Sequence, residues 1–391
     1  MSTTAEHAKC SPSSAHRWTV CTAAPAEEAK HPDSDSEPAR RGTFLHTIAE
    51  RVLRDPRGGR AVDLVGTQDP LGEFTLDEEM ADGVDAYIDA VWFCMETSPG
   101  IPTLHVEARV QFSPDLWGTT DAIVLHRDDA GELLRIDVFD LKGGSGVYVE
   151  ADENLQLACY LLAAVADGGA DLDDDLVVGL HIVQPLHHAG SPWRVWTPTI
   201  RRLREIKQQI QVALFDVQHQ PEFVPGDHCH WCRAAATCHA RREFQLATAA
   251  DAFNDDPAPV ATLTPQAIAN LLRRFPDLRS WMSDVEAHAE RMALAGTPIP
   301  GHKLVQRVGN RAWNDDQQAE ANLRGLGVDP FTSALISPAE AERRLHLITG
   351  TTKKRAADLV NAVCHKPITG TTLVDASDKR PEFVPPNFND S

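Results

Sequence analysis

Two carboxylates, an amine and an imidazole recur in the first half of this chain in spacings that suit metal-assisted hydrolysis. Asp121 closes the run Gly118-Thr119-Thr120-Asp121, and Asp140-Leu141-Lys142 ends an apolar stretch. That stretch, residues 133–141 (LLRIDVFDL), is short, apolar and partly β-branched, which predicts a buried strand. Residues 122–126 (AIVLH) predict the strand before it, with Asp129-Ala130-Gly131 as the hairpin turn. Asp121 is then expected at the start of one strand and Asp140 near the end of the next, side by side across an antiparallel pair. Two carboxylates at one sheet edge make a hard-oxygen site for Mg²⁺ or Mn²⁺. Lys142 lies two residues beyond Asp140, and period-2 alternation puts both on one face. Phosphodiester hydrolysis needs such a set: a polarised phosphate, an activated water and a positive group for developing charge.

Asp-x-Lys alone is common at solvated strand ends, so the neighbouring residues decide its weight. His46 and Glu50 are spaced i,i+4 on a helix whose other face carries Phe44, Leu45, Ile48, Val52 and Leu53. The bland account of that polar stripe is solvent exposure. The functional account lays the helix beside the sheet with His46 reaching a metal and Glu50 nearby. Residues 104–112 (LHVEARVQF) alternate as a strand, with Glu107 as a further acid near the site. Gln156 and Tyr160 share one side of a helix over residues 152–166, whose core face carries Leu155, Ala158, Cys159 and Leu162.

Among eight cysteines, Cys229, Cys232 and Cys238 form C-x₂-C-x₅-C behind the turn residues Phe223-Val224-Pro225-Gly226. In a reducing compartment this points to a metal rather than disulfides. Three thiolates need a fourth ligand: Cys21, with His228, His230 and His239 as rivals. Zn²⁺ takes Cys₄ or Cys₃His, and an iron–sulfur cluster takes four thiolates. Spacing leaves both open.

With 391 residues, 42% hydrophobic and 24% charged, the chain suits two globular domains. No apolar run spans a bilayer and residues 1–10 lack a secretory apolar core, so a cytoplasmic location is expected. The net charge of −20 opposes broad nonspecific nucleic-acid binding, although carboxylates gathered for a metal count as negative until it binds. Residues 8–21 begin with a helix start at Ser11-Pro12. Residues 22–40 and 55–75 read as loops, and residues 76–96 as a helix. Strands are expected at 176–184 and 193–197, then a helix over 199–217 bearing Arg201, Arg202, Arg204 and Lys207, a face able to track a phosphate backbone. The predicted class is α/β, a mixed sheet flanked by helices, over residues 1–245. Residues 246–262 shift to Ala/Asp/Pro composition and read as a linker. Residues 263–391 read as a smaller, mainly helical accessory domain, with a short strand pair or hairpin over 298–313, a helix from Ser337-Pro338-Ala339-Glu340 and another over 351–363.

Taken together, these residues resemble the PD-(D/E)XK nucleases. The likeness is to the RecB/AddB-type branch and related CRISPR-adaptation nucleases that carry an iron–sulfur cluster, over residues 8–242. The His46 helix resembles the first motif of that superfamily, Gly118-Thr-Thr-Asp121 the second, Asp140-Leu-Lys142 the third, and Gln156 with Tyr160 its Q-x₃-Y signature. The whole chain, with residues 11–18 in front and 301–305 behind, is similar to an uncharacterised phage or prophage family of such nucleases. The resemblance implies a restriction-endonuclease-like core with His46, Asp121, Asp140 and the Leu141 carbonyl on Mg²⁺ or Mn²⁺. It implies that Lys142 orients the attacking water, while Gln156 and Tyr160 position the DNA strand or the lysine. It makes Cys21 the fourth ligand of a [4Fe–4S] cluster, with structural Zn²⁺ as the alternative. That staple would close a loop of roughly 200 residues. The function implied is a DNA exonuclease of phage recombination or replication, with DNA and a phage recombination or single-strand-annealing protein as partners. A noncatalytic DNA-binding scaffold on the same fold and a zinc-stapled adaptor without a nucleic-acid role are the competing readings.

Overall fold

The computed structural model describes residues 8–31, 36–55, 57–144, 147–168, 172–187, 191–252, 264–309, 311–331, 336–349, 351–365, 367–375 and 380–384. It divides into two units, Met1–Trp281 and Met282–Ser391.

The first unit is built on a five-stranded sheet in the order β1 (Ile101–Ser113), β2 (Leu116–Arg127), β3 (Leu133–Leu141), β4 (Val177–Val183) and β5 (Trp193–Trp196). Only β3 and β4 run parallel; the other neighbours are antiparallel. This is the predicted α/β class, a mixed sheet flanked by helices, and it is consistent with a restriction-endonuclease-like core. The β2–β3 turn is fixed by Asp128, whose carboxylate accepts from the Ala130 and Glu132 amides, and by Gly131 at φ +88°.

Alternation along the strands assigns the two faces. Leu116, Ile123, Ile136, Val138, Leu180 and Ile182 pack with α1 (Ala15–Trp18), α5 (Leu155–Asp167) and α6 (Ile200–His219). Ala122, Val124, Phe139, Leu141 and Val183 pack with α3 (Glu37–Leu53) and α4 (Glu78–Thr97). Side-chain caps satisfy otherwise orphaned amides at helix starts, with Asp77 before α4, Asn154 before α5 and Thr199 before α6. Helix α5 is apolar on nearly every side because sheet, α1 and α6 surround it.

Residues 22–40 are not the expected loop throughout. They contain α2 (Ala24–Glu28), with Pro25 in its first turn and Ala24, Pro25 and Glu28 buried, and the start of α3. Small residues that read as solvated in sequence are here packed beneath the segment around residue 230. Helix α7 (His239–Ala252) extends into the expected linker, of which residues 253–262 lie outside the described residues. The long helix α8 (Pro265–Leu294) contains the division between the units.

The second unit holds β6 (His302–Val308), β7 (Ala312–Trp313), α9 (Asp316–Gly325), α10 (Pro338–Thr349), α11 (Lys353–Asn361), β8 (Cys364–His365) and β9 (Ile368–Asp375) around a small core that includes Leu323, Val328, Leu345 and Val360. The expected hairpin over 298–313 is corrected: β6 pairs with β9 and β7 with β8. Alternation marks a strand but does not choose its partner. Among the described residues no helix is long and apolar enough to cross a membrane.

Candidate active site and thiol centre

Pairing of Ala122 with Phe139 sets Asp121 and Asp140 opposite each other at one end of the β2–β3 ladder. Asp121 is not at the start of its strand, because β2 begins at Leu116; Gly118 lets the extra length pass Pro12 and Tyr160, which a Cβ would touch at 3.0 and 3.1 Å. On the other side of β2, Val106 pairs with Ala122 and Ala108 with Thr120, so Glu107 falls opposite Asp121. Its φ of +46° breaks the regular strand there. A non-glycine residue in the left-handed region is costly and is retained where surroundings enforce it.

Helix α3 brings His46 to this point. His46 Nδ1 lies 3.1 Å from Asp121 Oδ1, and the Leu141 amide donates to Asp121 Oδ2 at 2.6 Å. The ligand atoms of His46, Glu107 and Asp121 all lie within 4.8 Å of one another. Asp140 is outside that group and is held by its own neighbours. Lys142 Nζ is 2.9 Å from Asp140 Oδ2 and donates to Gln156 Oε1 at 3.1 Å. Gln156 Nε2 closes the ring by donating to Asp140 Oδ1 at 2.7 Å. Tyr160, one helical turn beyond Gln156, is buried beside them. Glu50 lines the same small cavity as His46, Glu107 and Asp121, but pairs with Arg54 at 3.0 Å. The structure therefore gathers all the acids expected at the site, with Glu107 in the imidazole cluster and Asp140 in the lysine cluster.

The electrostatics are those of a site with surplus negative charge. Burial opposes a proton on His46, but Asp121, Asp140 and Glu107 outweigh it and lift its pKa to about 9. Burial, then the Asp121 charge, push Glu107 up to about 7, with His46 pulling back. Burial also raises Asp140, against the pull of Lys142; for Lys142 burial opposes the charge, and Asp140 more than compensates. Burial and the charges of Asp140 and Asp121 raise the Tyr160 hydroxyl.

The donor set fits a hard divalent cation. Octahedral Mg²⁺, with ligands at 2.0–2.1 Å, sets neighbouring ligand atoms about 3.0 Å apart, close to the His46–Asp121 separation. One polar group that the sequence did not single out also faces this cavity. Tyr87 of α4 is 1% exposed, and its hydroxyl has no hydrogen-bond partner among the described residues. A tyrosine in an apolar helical stripe reads as core, and nothing in the residue pattern distinguishes it.

A second imidazole–acid cluster also escaped the sequence reading. Asp137, in the interior of β3, accepts from Arg135 Nε and Nη2 at 2.7 Å each and meets His181 Nε2 at 2.8 Å. Trp193 Nε1 donates to His181 Nδ1 at 3.1 Å. His181 therefore carries its proton on Nε2, and neither nitrogen has a free lone pair. Cys94 completes a buried trio whose ligand atoms lie within 4.8 Å, but burial holds its thiol up to about 12. Gly179 makes room for the cluster: a Cβ there would run into the Asp137 carboxylate and the His181 ring.

Cys21, Cys229, Cys232 and Cys238 line one cavity, with Arg17, Phe223, His228 and Arg241 in its wall. Of the histidine rivals, His228 Nε2 bonds the Val224 carbonyl and lies 3.9 Å from Cys229 Sγ, His230 pairs with Ser280, and the His239 ring packs on Phe223. The chain start is tied to this segment by Ala23 N to Glu222 O (3.0 Å), Glu222 N to Thr22 Oγ1 (2.8 Å) and Arg233 N to Glu28 Oε1 (3.2 Å). Burial raises the Cys21 and Cys229 thiols, and pushes Cys232 up to about 12. A metal would be needed to hold them as thiolates.

The α6 arginines do not form a free basic track. Arg201 pairs with Glu205, Arg202 with Glu153 and Glu205, and Arg204 with Asp174.

A crystal structure from Eubacterium rectale described as a "Putative exonuclease" is similar at 11% identity and a TM-score of 0.32, over 68% of this chain and 98% of that one. Residues 7–381 match the family described as "Protein of unknown function (DUF2800)", and the chain belongs to that family.

Proposed function

We propose that this protein is a metal-dependent DNA nuclease of the PD-(D/E)XK type, acting as an exonuclease. One observation carries the reading: His46 from α3, Glu107 from β1 and Asp121 from β2 meet beside the Asp140–Lys142–Gln156 ring at the end of β3. His46, Glu107 and Asp121 would hold Mg²⁺ or Mn²⁺, with Asp140 and the Leu141 carbonyl as the further ligands that the resemblance implies. The ion would polarise the phosphate and make an attacking water more acidic. Lys142, fixed between Asp140 and Gln156, orients that water and meets charge developing on phosphate. Residues 1–245 form the nuclease domain in this reading, and residues 263–391 an accessory module. The resemblance implies phage DNA recombination or replication as the setting, with a recombination or annealing protein as partner.

The thiol cavity is assigned a structural [4Fe–4S] cluster. Cys21, Cys229, Cys232 and Cys238 line that cavity together, and the resemblance favours four thiolates on an iron–sulfur cluster over structural Zn²⁺. Such a cluster suits a reducing cytoplasm. Cys21→Ser is expected to lose iron and the visible absorbance of anaerobically purified protein. Stoichiometric zinc with no iron in the wild type overturns the assignment.

The deciding assay digests end-labelled linear and closed circular DNA with and without Mg²⁺, with Lys142→Ala as the control. Release of label from linear DNA only, lost in Lys142→Ala, is expected. The net charge of −20 and the paired α6 arginines favour a second reading, a noncatalytic scaffold. DNA that binds and stays intact in Mg²⁺ would select it.

A further inference from the structure

Two oddities meet in the cavity between α3, α4 and the sheet. Among the described residues the Tyr87 hydroxyl has no acceptor, and its side chain is 1% exposed. A buried hydroxyl left unpaired destabilises the fold, and Tyr→Phe would remove that cost without changing shape. Glu107 is held at φ +46° in the middle of a strand, with its carboxylate on the same cavity. Of the acids there, Asp121 has both oxygens engaged, by His46 and the Leu141 amide, and Glu50 is paired with Arg54. Glu107 is the acid on this cavity for which no such pairing is shown among the described residues. The cavity is too tight for a water between these groups, so the partner must come from the protein.

We propose that Tyr87 is a positioning residue for the divalent-cation site: its hydroxyl donates to the Glu107 carboxylate when Glu107 is drawn onto the ion. This rests on the metal centre assigned above. Ligating carboxylates are usually hydrogen-bonded in turn, and loss of that outer partner weakens metal binding by about 10–100-fold. In the free protein the same hydroxyl is a small burden on stability.

The test is Mn²⁺ titration calorimetry on the full-length protein with Tyr87→Phe, Glu107→Gln, the double variant and Asp121→Asn, together with metal-free thermal melts. Tyr87→Phe is expected to melt no lower than wild type without metal, and to bind Mn²⁺ about 10-fold more weakly. Adding it to Glu107→Gln should weaken binding no further, since the hydroxyl acts through that carboxylate. A purely structural role would lower the metal-free melt and leave affinity unchanged. Mn²⁺ affinity within twofold of wild type in Tyr87→Phe, or losses that add independently in the double variant, overturns the inference while leaving the metal centre in place. Wild-type protein that binds no Mn²⁺, or Asp121→Asn that binds it equally well, overturns the metal centre and this inference with it.

Discussion

Two imidazole–carboxylate clusters sit on one sheet, His46 with Asp121 and His181 with Asp137, and each gathers three ligand-bearing side chains within 4.8 Å. Distance alone does not separate them. Around Asp137 the carboxylate has two guanidinium bonds and one imidazole bond, and the second imidazole nitrogen is taken by Trp193. Around Asp121 the balance is unfinished. A hydroxyl in the same cavity lacks a hydrogen-bond partner among the described residues, a backbone is held in a left-handed conformation, and burial pushes Glu107 up to about 7. Saturated polar networks rigidify a core, whereas strain and unspent lone pairs collect where a ligand is to bind. His126, 3.7 Å from Asp137, also lacks hydrogen-bond partners for both ring nitrogens among the described residues, so the functional cluster is marked by its strained backbone and its cavity rather than by unpaired groups alone.

The sharpest way to break this contrast is to remove the acid from each cluster. Asp121→Asn is expected to lower Mg²⁺-dependent cleavage on the order of 10³-fold, as loss of a transition-state electrostatic group does, with little change in urea unfolding. Asp137→Ala should do the reverse. It strips the buried bonds from Arg135 and His181 and should destabilise the fold by about 3–5 kcal/mol, while the molecules still folded bind Mn²⁺ normally. Unfolding curves and Mn²⁺ titrations of both variants read the two effects separately. Equal destabilisation by both would erase the distinction.

The same contrast marks how far the sequence was legible. Alternation and β-branching exposed β1 through β5, and the Asp-Ala-Gly turn set the β2–β3 hairpin, so the opposition of Asp121 and Asp140 follows from residue spacing. Glu107 was visible as a polar position in an alternating strand. Its left-handed backbone was not, because Glu is not a residue type that marks a positive φ. Asp137 was hidden for a different reason. It stands in LLRIDVFDL between two apolar residues, and its partner His181 lies 44 positions away. Those two meet only because β4 returns parallel to β3, and Gly179 leaves the space between them. Helix α2 was mistaken for loop because its small residues are buried by a distant segment. Local pattern carries elements and local faces; long-range register carries the rest.

Acid should sharpen the comparison next. Burial lowers the pKa of His181, against the pull of Asp137, and burial likewise lowers that of His126, whose Nε2 lies 3.7 Å from Asp137. Burial opposes the Asp137 charge, but His181 and Arg135 hold its pKa below the usual carboxylate range. A histidine whose folded pKa is lowered binds fewer protons than in the unfolded chain below about pH 6.5. Stability therefore falls as pH drops below that value, and falls again when Asp137 is protonated at still lower pH. Both signs agree. Glu107, His46 and Asp140, with raised pKa values, act in the opposite direction over this range, so the His181 contribution is read as a difference: between pH 7.5 and 5 the urea midpoint of His181→Gln should shift less toward instability than that of the wild type. Wild type and His181→Gln curves that stay parallel from pH 7.5 to 5 would contradict the assignment of a neutral His181.

The smallest expected effect locates the edge of the site. Glu50 is one helical turn from His46 and lines the same cavity, yet its carboxylate is committed to Arg54 on the solvent side of α3. An exposed i,i+4 pair is worth about 0.3–0.5 kcal/mol. Glu50 also adds to the charge that raises Glu107, so removing it slightly eases ionisation of that ligand while taking one unit of attraction from the cation. These influences oppose each other. Glu50→Gln should leave Mn²⁺ affinity within about threefold of wild type, corresponding to under 1 kcal/mol. A loss beyond tenfold would mean that Glu50 abandons Arg54 for the ion, making the unfinished cluster one acid larger than its geometry in the free protein shows.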